Sequence, residues 1–96
     1  MKLRILQYLR FKDGLVAIQK DYDWPTVPRA GERVAFEEDL EGGYYKIKEV
    51  FHELGARLVI ARIETHNDSA MSSGLGHLRY MVDCLGFKIE HDQRDA

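Results

Sequence analysis

The chain holds a single cysteine, two prolines and one tryptophan in 96 residues. One cysteine cannot close an intrachain disulfide, so no oxidising compartment is implied. No uninterrupted apolar run is long enough to span a bilayer. The opening residues, MKLRILQYLRFKDG, are too charged for the apolar centre of a signal peptide. Neither sign of charge dominates: 14 Lys+Arg stand against 16 Asp+Glu, a formal net charge of -2. That balance removes the broad basic footprint of a dedicated nucleic-acid binder, though not a local patch. No internal repeat and no dividing linker is present. The expectation is a soluble cytoplasmic protein.

What is there fits one small globular domain. A hydrophobic share of 45% beside 31% charged residues belongs to a chain that folds. At this size the core is thin, and self-association is a natural aid. Residues 1–89 read as a single α+β domain and 90–96 as a disordered polar tail.

Asp13-Gly14 is a two-residue type I′ turn signal between two alternating segments. A loop at those residues sets Phe11 against Val16, Leu9 against Ile18, Ile5 against Tyr22 and Leu3 against Trp24, all on one face. Gln7 opposite Lys20 is the discordant pair. In this register Trp24 belongs to the core. The prolines at 25 and 28 then end the ladder, since neither can donate a hydrogen bond to it. Residues 28–31 predict a turn, 33–38 a third strand and 39–43 an acidic loop. A second hairpin over 44–66 pairs Phe51 with Val59, Ile47 with Ile63 and Glu53 with Arg57, around a loop at 54–56. Leu75, Leu78, Met81, Val82 and Leu85 recur at helical spacing, with Gly86 at the left-handed C-terminal position and Phe87 packing back. This helix is expected to cover the second apolar face, where Val50, Leu58 and Ile60 fall.

The Pro-x-x-Gly-Glu-x-Val pattern at 28–34, with strands on either side, is similar in layout to small SH3-like barrels. Pattern and resemblance together predict an α+β fold. It is a five-stranded antiparallel, strongly twisted sheet or partial SH3-like barrel with one C-terminal helix.

Three constellations carry candidate chemistry. Ser72, Ser73, Gly74, Gly76 and His77 open the helix, where free N–H groups and the dipole can hold a phosphate or carboxylate. Their spacing matches neither nucleotide-binding glycine motif, and serine there also serves as an ordinary cap. Tyr44, Lys46, Lys48 and His52 form a basic strip with an aromatic, suited to single-stranded nucleic acid or to a plain charged face. Leu6, Tyr8, Leu58 and Ile60 make an apolar strip that a second copy of the chain can cover.

Glu64, His66 and Asp68 share a strand face only if the strand continues through Asn67-Asp68, a turn-forming pair. No metal-ligand spacing is present, so neither metal nor cofactor is expected. Cys84 sits where the helix dipole disfavours a thiolate and reads as a small hydrophobe in the core or an interface. Glu37, Glu38 and Asp39 read as a solvated run. No catalytic residue is assigned.

The expectation is a non-catalytic binding or interaction module, a homodimer, taking a protein partner or a small anionic ligand. The alternatives are an anionic-ligand or enzymatic site at residues 72–77 and a nucleic-acid surface on strand four. No membrane partner is expected.

Overall fold

The computed structural model describes residues 2–12, 14–36, 44–67 and 73–93. In chain order the elements are β1 (Lys2–Phe11), β2 (Gly14–Asp23), β3 (Arg33–Val34), β4 (Tyr45–Glu53), β5 (Leu58–Ile63) and β6 (His66–Asn67). Helix α1 (Ser73–Arg79) follows and continues as a π-helical turn (Tyr80–Cys84), and β7 (Lys88–Asp92) ends the described chain. The strands make one sheet in the order β3-β4-β5-β1-β2-β7, with β6 also on β1.

The α+β class stands, but the five-stranded antiparallel layout does not. β1 runs antiparallel to β2 and parallel to both β5 and β6, so the sheet is mixed. It also remains open, with β3 and β7 at its edges, and does not close into a barrel. Parallel neighbours need a long connection. Here the whole of β2, β3 and β4 supplies it.

The first hairpin forms one pair further along than its turn signal indicates. Phe11 faces Gly14, Leu9 faces Val16 and Leu3 faces Tyr22. This register ends the described ladder at Phe11 and Gly14. A slip of two residues keeps every side chain on its own face, so the inner face is as expected: Leu3, Ile5, Leu9, Val16 and Ile18 are all buried. Its cost falls on Trp24. With Asp23 already opposite Lys2, Trp24 lies beyond the end of β1 and is 47% exposed, not part of the core.

In the second hairpin Ile47 faces Ile63 as expected, but a bulge between Ile47 and Glu49 shifts everything beyond it by one residue. Phe51 meets Ile60 and Glu53 meets Leu58. The connecting turn takes four residues, 54–57, with Arg57 at a φ of 53°. The bulge moves Val50 to the inner side, packed on the core.

Helix α1 covers the inner face, not the outer one. Leu78, Met81 and Leu85 join the same core as the inner strand residues. The π-helical turn is marked by the Leu85 N–H bonded to the Tyr80 carbonyl (3.3 Å). Gly86 then turns the chain out at a φ of 77°. The Phe87 N–H returns to the Met81 carbonyl (3.0 Å), the closing bond that glycine permits and side chains with a Cβ resist. The Lys20 ammonium donates to the Leu85 carbonyl, which explains a lysine on the inner face: it sits at the negative end of the helix.

Residues 90–92, read as part of a tail, belong to β7 on the β2 edge, and the Gln93 N–H bonds the Leu15 carbonyl (2.8 Å). Residues 94–96, the acidic loop at 39–43 and the expected strand beyond residue 36 lie outside the described residues. No helix is long and apolar enough to cross a membrane among the described residues.

Candidate functional site

Residues 24–36 leave the end of β2 and return across the inner face to Phe36. Two features set their path. A type II turn closes through the Glu32 N–H on the Arg29 carbonyl (3.1 Å), with Gly31 at a φ of 93°, as that turn requires. It begins one residue later than the proline suggests. The turn is then tied to β4: the Gly31 N–H bonds the Ile47 carbonyl (2.7 Å), and the Ile47 N–H bonds the Glu32 carbonyl (2.8 Å).

Between this crossover and the sheet lies a cavity of about 640 Å³. Leu3, Ile5 and Tyr22 line it from the sheet, and Trp24, Val27, Pro28 and Phe36 from the crossover. Phe36 is held by three rings: Tyr22 stacked at 6.1 Å, Tyr45 tilted at 5.3 Å and Phe87 edge-on at 5.5 Å. Asp23, Thr26, Arg29, Glu32 and Arg33 supply polar groups to the lining. The Glu32 carboxylate accepts the Arg29 backbone N–H. Among the described residues the Arg29 guanidinium makes no ion pair. Arg33 likewise makes no ion pair among the described residues. The site therefore joins an apolar surface to two arginines, with the Asp23 and Glu32 carboxylates also at its lining.

A second cluster sits where β1 meets β5 and β6. Leu6 faces Arg62, yet Leu9 faces His66, so the partner chain carries one extra residue between those pairs. Gln7 lies at this break, 1% exposed, and mends it. Its Nε2 donates to the Glu64 carbonyl (3.0 Å), while its Oε1 contacts His77 Nε2 (3.2 Å). A carbonyl oxygen can only accept, so neutral His77 carries its proton on Nε2. The His77 ring stacks on His66 with centroids 4.2 Å apart and planes 19° apart. Tyr45 lies 6.5 Å from His77 on another side. Burial, and then the charge His66 can carry, lower the His77 pKa to about 4. His66 Nε2 is buried without a hydrogen-bond partner among the described residues.

This pair is not arranged as a chelate. A metal must lie in the plane of each imidazole at about 2 Å from nitrogen, and two near-parallel stacked planes do not meet at that range. Among the described residues no group of three or more His, Cys, Asp or Glu is placed to hold a metal.

The expected sites are placed as follows. Of the helix-start set, Ser72 lies outside the described residues, Ser73 and Gly74 open α1, and Gly76 is exposed. The His77 ring turns inward to Gln7 and His66, not outward toward a ligand. Of the strand-four set, Tyr44, Lys46, Lys48 and His52 are all exposed, but the bulge separates them. Lys46 lies on the outer face, while His52, opposite Val59, lies on the inner one. On the outer face Tyr8 is 37% exposed and Leu58 is buried, with Leu6 and Ile60 between. Arg4 there reaches Asp21 (2.8 Å) and Arg62 reaches Glu49 (2.6 Å), so ion pairs interleave the apolar strip. Cys84 is exposed, which removes its core role.

Sequence reasoning missed the groove because it placed Trp24 one pair too early, and missed the cluster because His66 and His77 meet only through parallel pairing. The one available signal was Gln7, a polar residue at an inward position. Comparison with protein-family models, curated proteins and solved structures found no match to this chain.

Proposed function

We propose that this protein is a non-catalytic binding module whose groove under Trp24 takes a small amphipathic molecule, an apolar body headed by a single anionic group. The observation that carries this is the cavity of about 640 Å³ lined by Leu3, Ile5, Tyr22, Trp24 and Val27 with Arg29 at its lining. Small-molecule sites occupy roughly 300–1,000 Å³ and combine apolar walls with few polar groups. A protein partner instead needs about 800 Å² of surface on each side. Arg29 and Arg33, neither in an ion pair among the described residues, support an anion at one end, and a carboxylate suits the fork of guanidinium donors.

Trp24 is the sole tryptophan and reports the groove directly. Titration with decanoate should change its emission saturably, and Arg29→Ala should weaken binding about tenfold, the equivalent of 1.4 kcal/mol. Decanol, with the same body and no charge, should bind more weakly than decanoate. An emission that stays flat through the decanoate titration refutes the reading.

Self-association across the outer face is the second reading. Exposed Tyr8 and Phe51 on that face favour it. A monomer by sedimentation at tens of micromolar would remove it.

A further inference from the structure

The histidine cluster points to a function separate from the groove. We infer that His66 and His77 form a proton-sensitive latch: when the His77 ring, stacked on His66 and bonded to Gln7, gains a second proton, the first turn of α1 leaves the sheet and pivots at the π-helical turn Tyr80–Cys84.

The geometry gives the latch its bistability. Two neutral imidazoles stack favourably at 4.2 Å, whereas a charge on the partly buried His77 ring is poorly solvated there, and any charge on His66 adds repulsion. His66 presents its ring face to His77, so it cannot accept an in-plane hydrogen bond from a proton added at His77 Nδ1. His77 Nε2–H is already spent on Gln7, and burial holds its ring neutral.

Among the described residues no neighbour compensates a new charge. From β1 the pair meets Gln7, an amide, and from β4 the Tyr45 ring. Glu64, at the β5–β6 junction, gives its backbone carbonyl to Gln7 while its carboxylate lies against the Lys46 amide (3.5 Å). Arg79, on α1 itself, is exposed. Among the described residues no carboxylate lies within ion-pair distance of either ring.

The other end of the helical segment is anchored. Met81 and Leu85 are fully buried, and Lys20 holds the Leu85 carbonyl. The π-helical turn, with Met81 inside it and buried Leu78 just before it, joins this anchor to the first turn of α1, and such turns recur at functional sites.

Amide exchange by NMR at pH 7 and pH 4.5, corrected for intrinsic rates, tests the latch. In the wild-type protein the opening equilibrium of amides 77–80 should rise about tenfold or more on acidification, while Leu85 and Phe87 stay within about twofold. His66→Phe loses no hydrogen bond and keeps the stack, so it should fold normally with a smaller response. His77→Gln retains a donor toward Gln7, and combined with His66→Phe it should abolish the response. Unchanged amides 77–80 in the wild type overturn the latch. So does a full acid response in the double variant, or equal loosening of Leu85, Phe87 and the β1 amides.

Discussion

Replacing Gln7 by leucine isolates the junction that brings the two sheet halves and the helix together. Gln7 is 1% exposed and serves two partners, the Glu64 carbonyl at 3.0 Å and His77 Nε2 at 3.2 Å. Leucine fits the volume but removes both bonds. Leaving a buried polar partner unsatisfied costs about 1–3 kcal/mol, and two partners are affected. Against that, the apolar side chain regains about 1–2 kcal/mol by transfer from water. The net expectation is a loss of about 2–3 kcal/mol. For a domain of this size each kcal/mol moves Tm by about 4–8 °C, so the melt should fall by roughly 10–20 °C.

Urea unfolding is the direct assay, read as a lower midpoint at unchanged slope. A cycle with His77→Phe sharpens it. Once the His77 donor is gone, Gln7→Leu should cost at least about 1 kcal/mol less than in the wild-type background. If Gln7→Leu lies within about 0.5 kcal/mol of wild type, the junction is not held by this amide and the hydrogen-bond assignment is wrong.

Three further outcomes follow from the same structure. Trp24→Ala should cost no more than about 1.5 kcal/mol, because a ring that is 47% exposed forfeits only part of the about 3–5 kcal/mol of a core aromatic; a larger loss in thermal denaturation returns Trp24 to the core. Gly86→Ala forces a Cβ into a φ of 77° and should cost about 1–2 kcal/mol, whereas Arg57→Gly, at a φ of 53°, should be neutral or stabilising in the same melts. His77 has a folded pKa of about 4 against an ordinary value of 6.5, so the unfolded chain takes the proton first as pH falls. Its contribution is complete above pH 6.5 and is lost between 6.5 and 4. About 1–2 kcal/mol is expected after allowing for solvent around a half-buried ring. His77→Gln should flatten that part of the pH–stability curve.

Local pattern was enough to assign the sides of the central hairpin. Period-two alternation places Leu3, Ile5, Leu9, Val16 and Ile18 inward in either of two registers, because a two-residue slip leaves every face unchanged. The same symmetry makes the two registers indistinguishable by pattern. The difference between them moves Trp24 from the core to the lip of a groove. Gly86-Phe87 was equally legible, since a glycine after an apolar helical stripe has one geometric use.

Three features were decided only by tertiary structure. The parallel pairing of β1 with β5 and β6 joins segments over fifty residues apart and leaves no local mark. The bulge at β4, a one-residue shift, sent His52 and Lys46 to opposite faces. His66 and His77 lie on different elements, and only the break opposite Gln7 brings their rings to 4.2 Å. Short-range chemistry, through alternation, turns and caps, acts on neighbours and can be read along the chain. Register between distant strands is set by the packing energy of the whole sheet, and both candidate sites depend on that register.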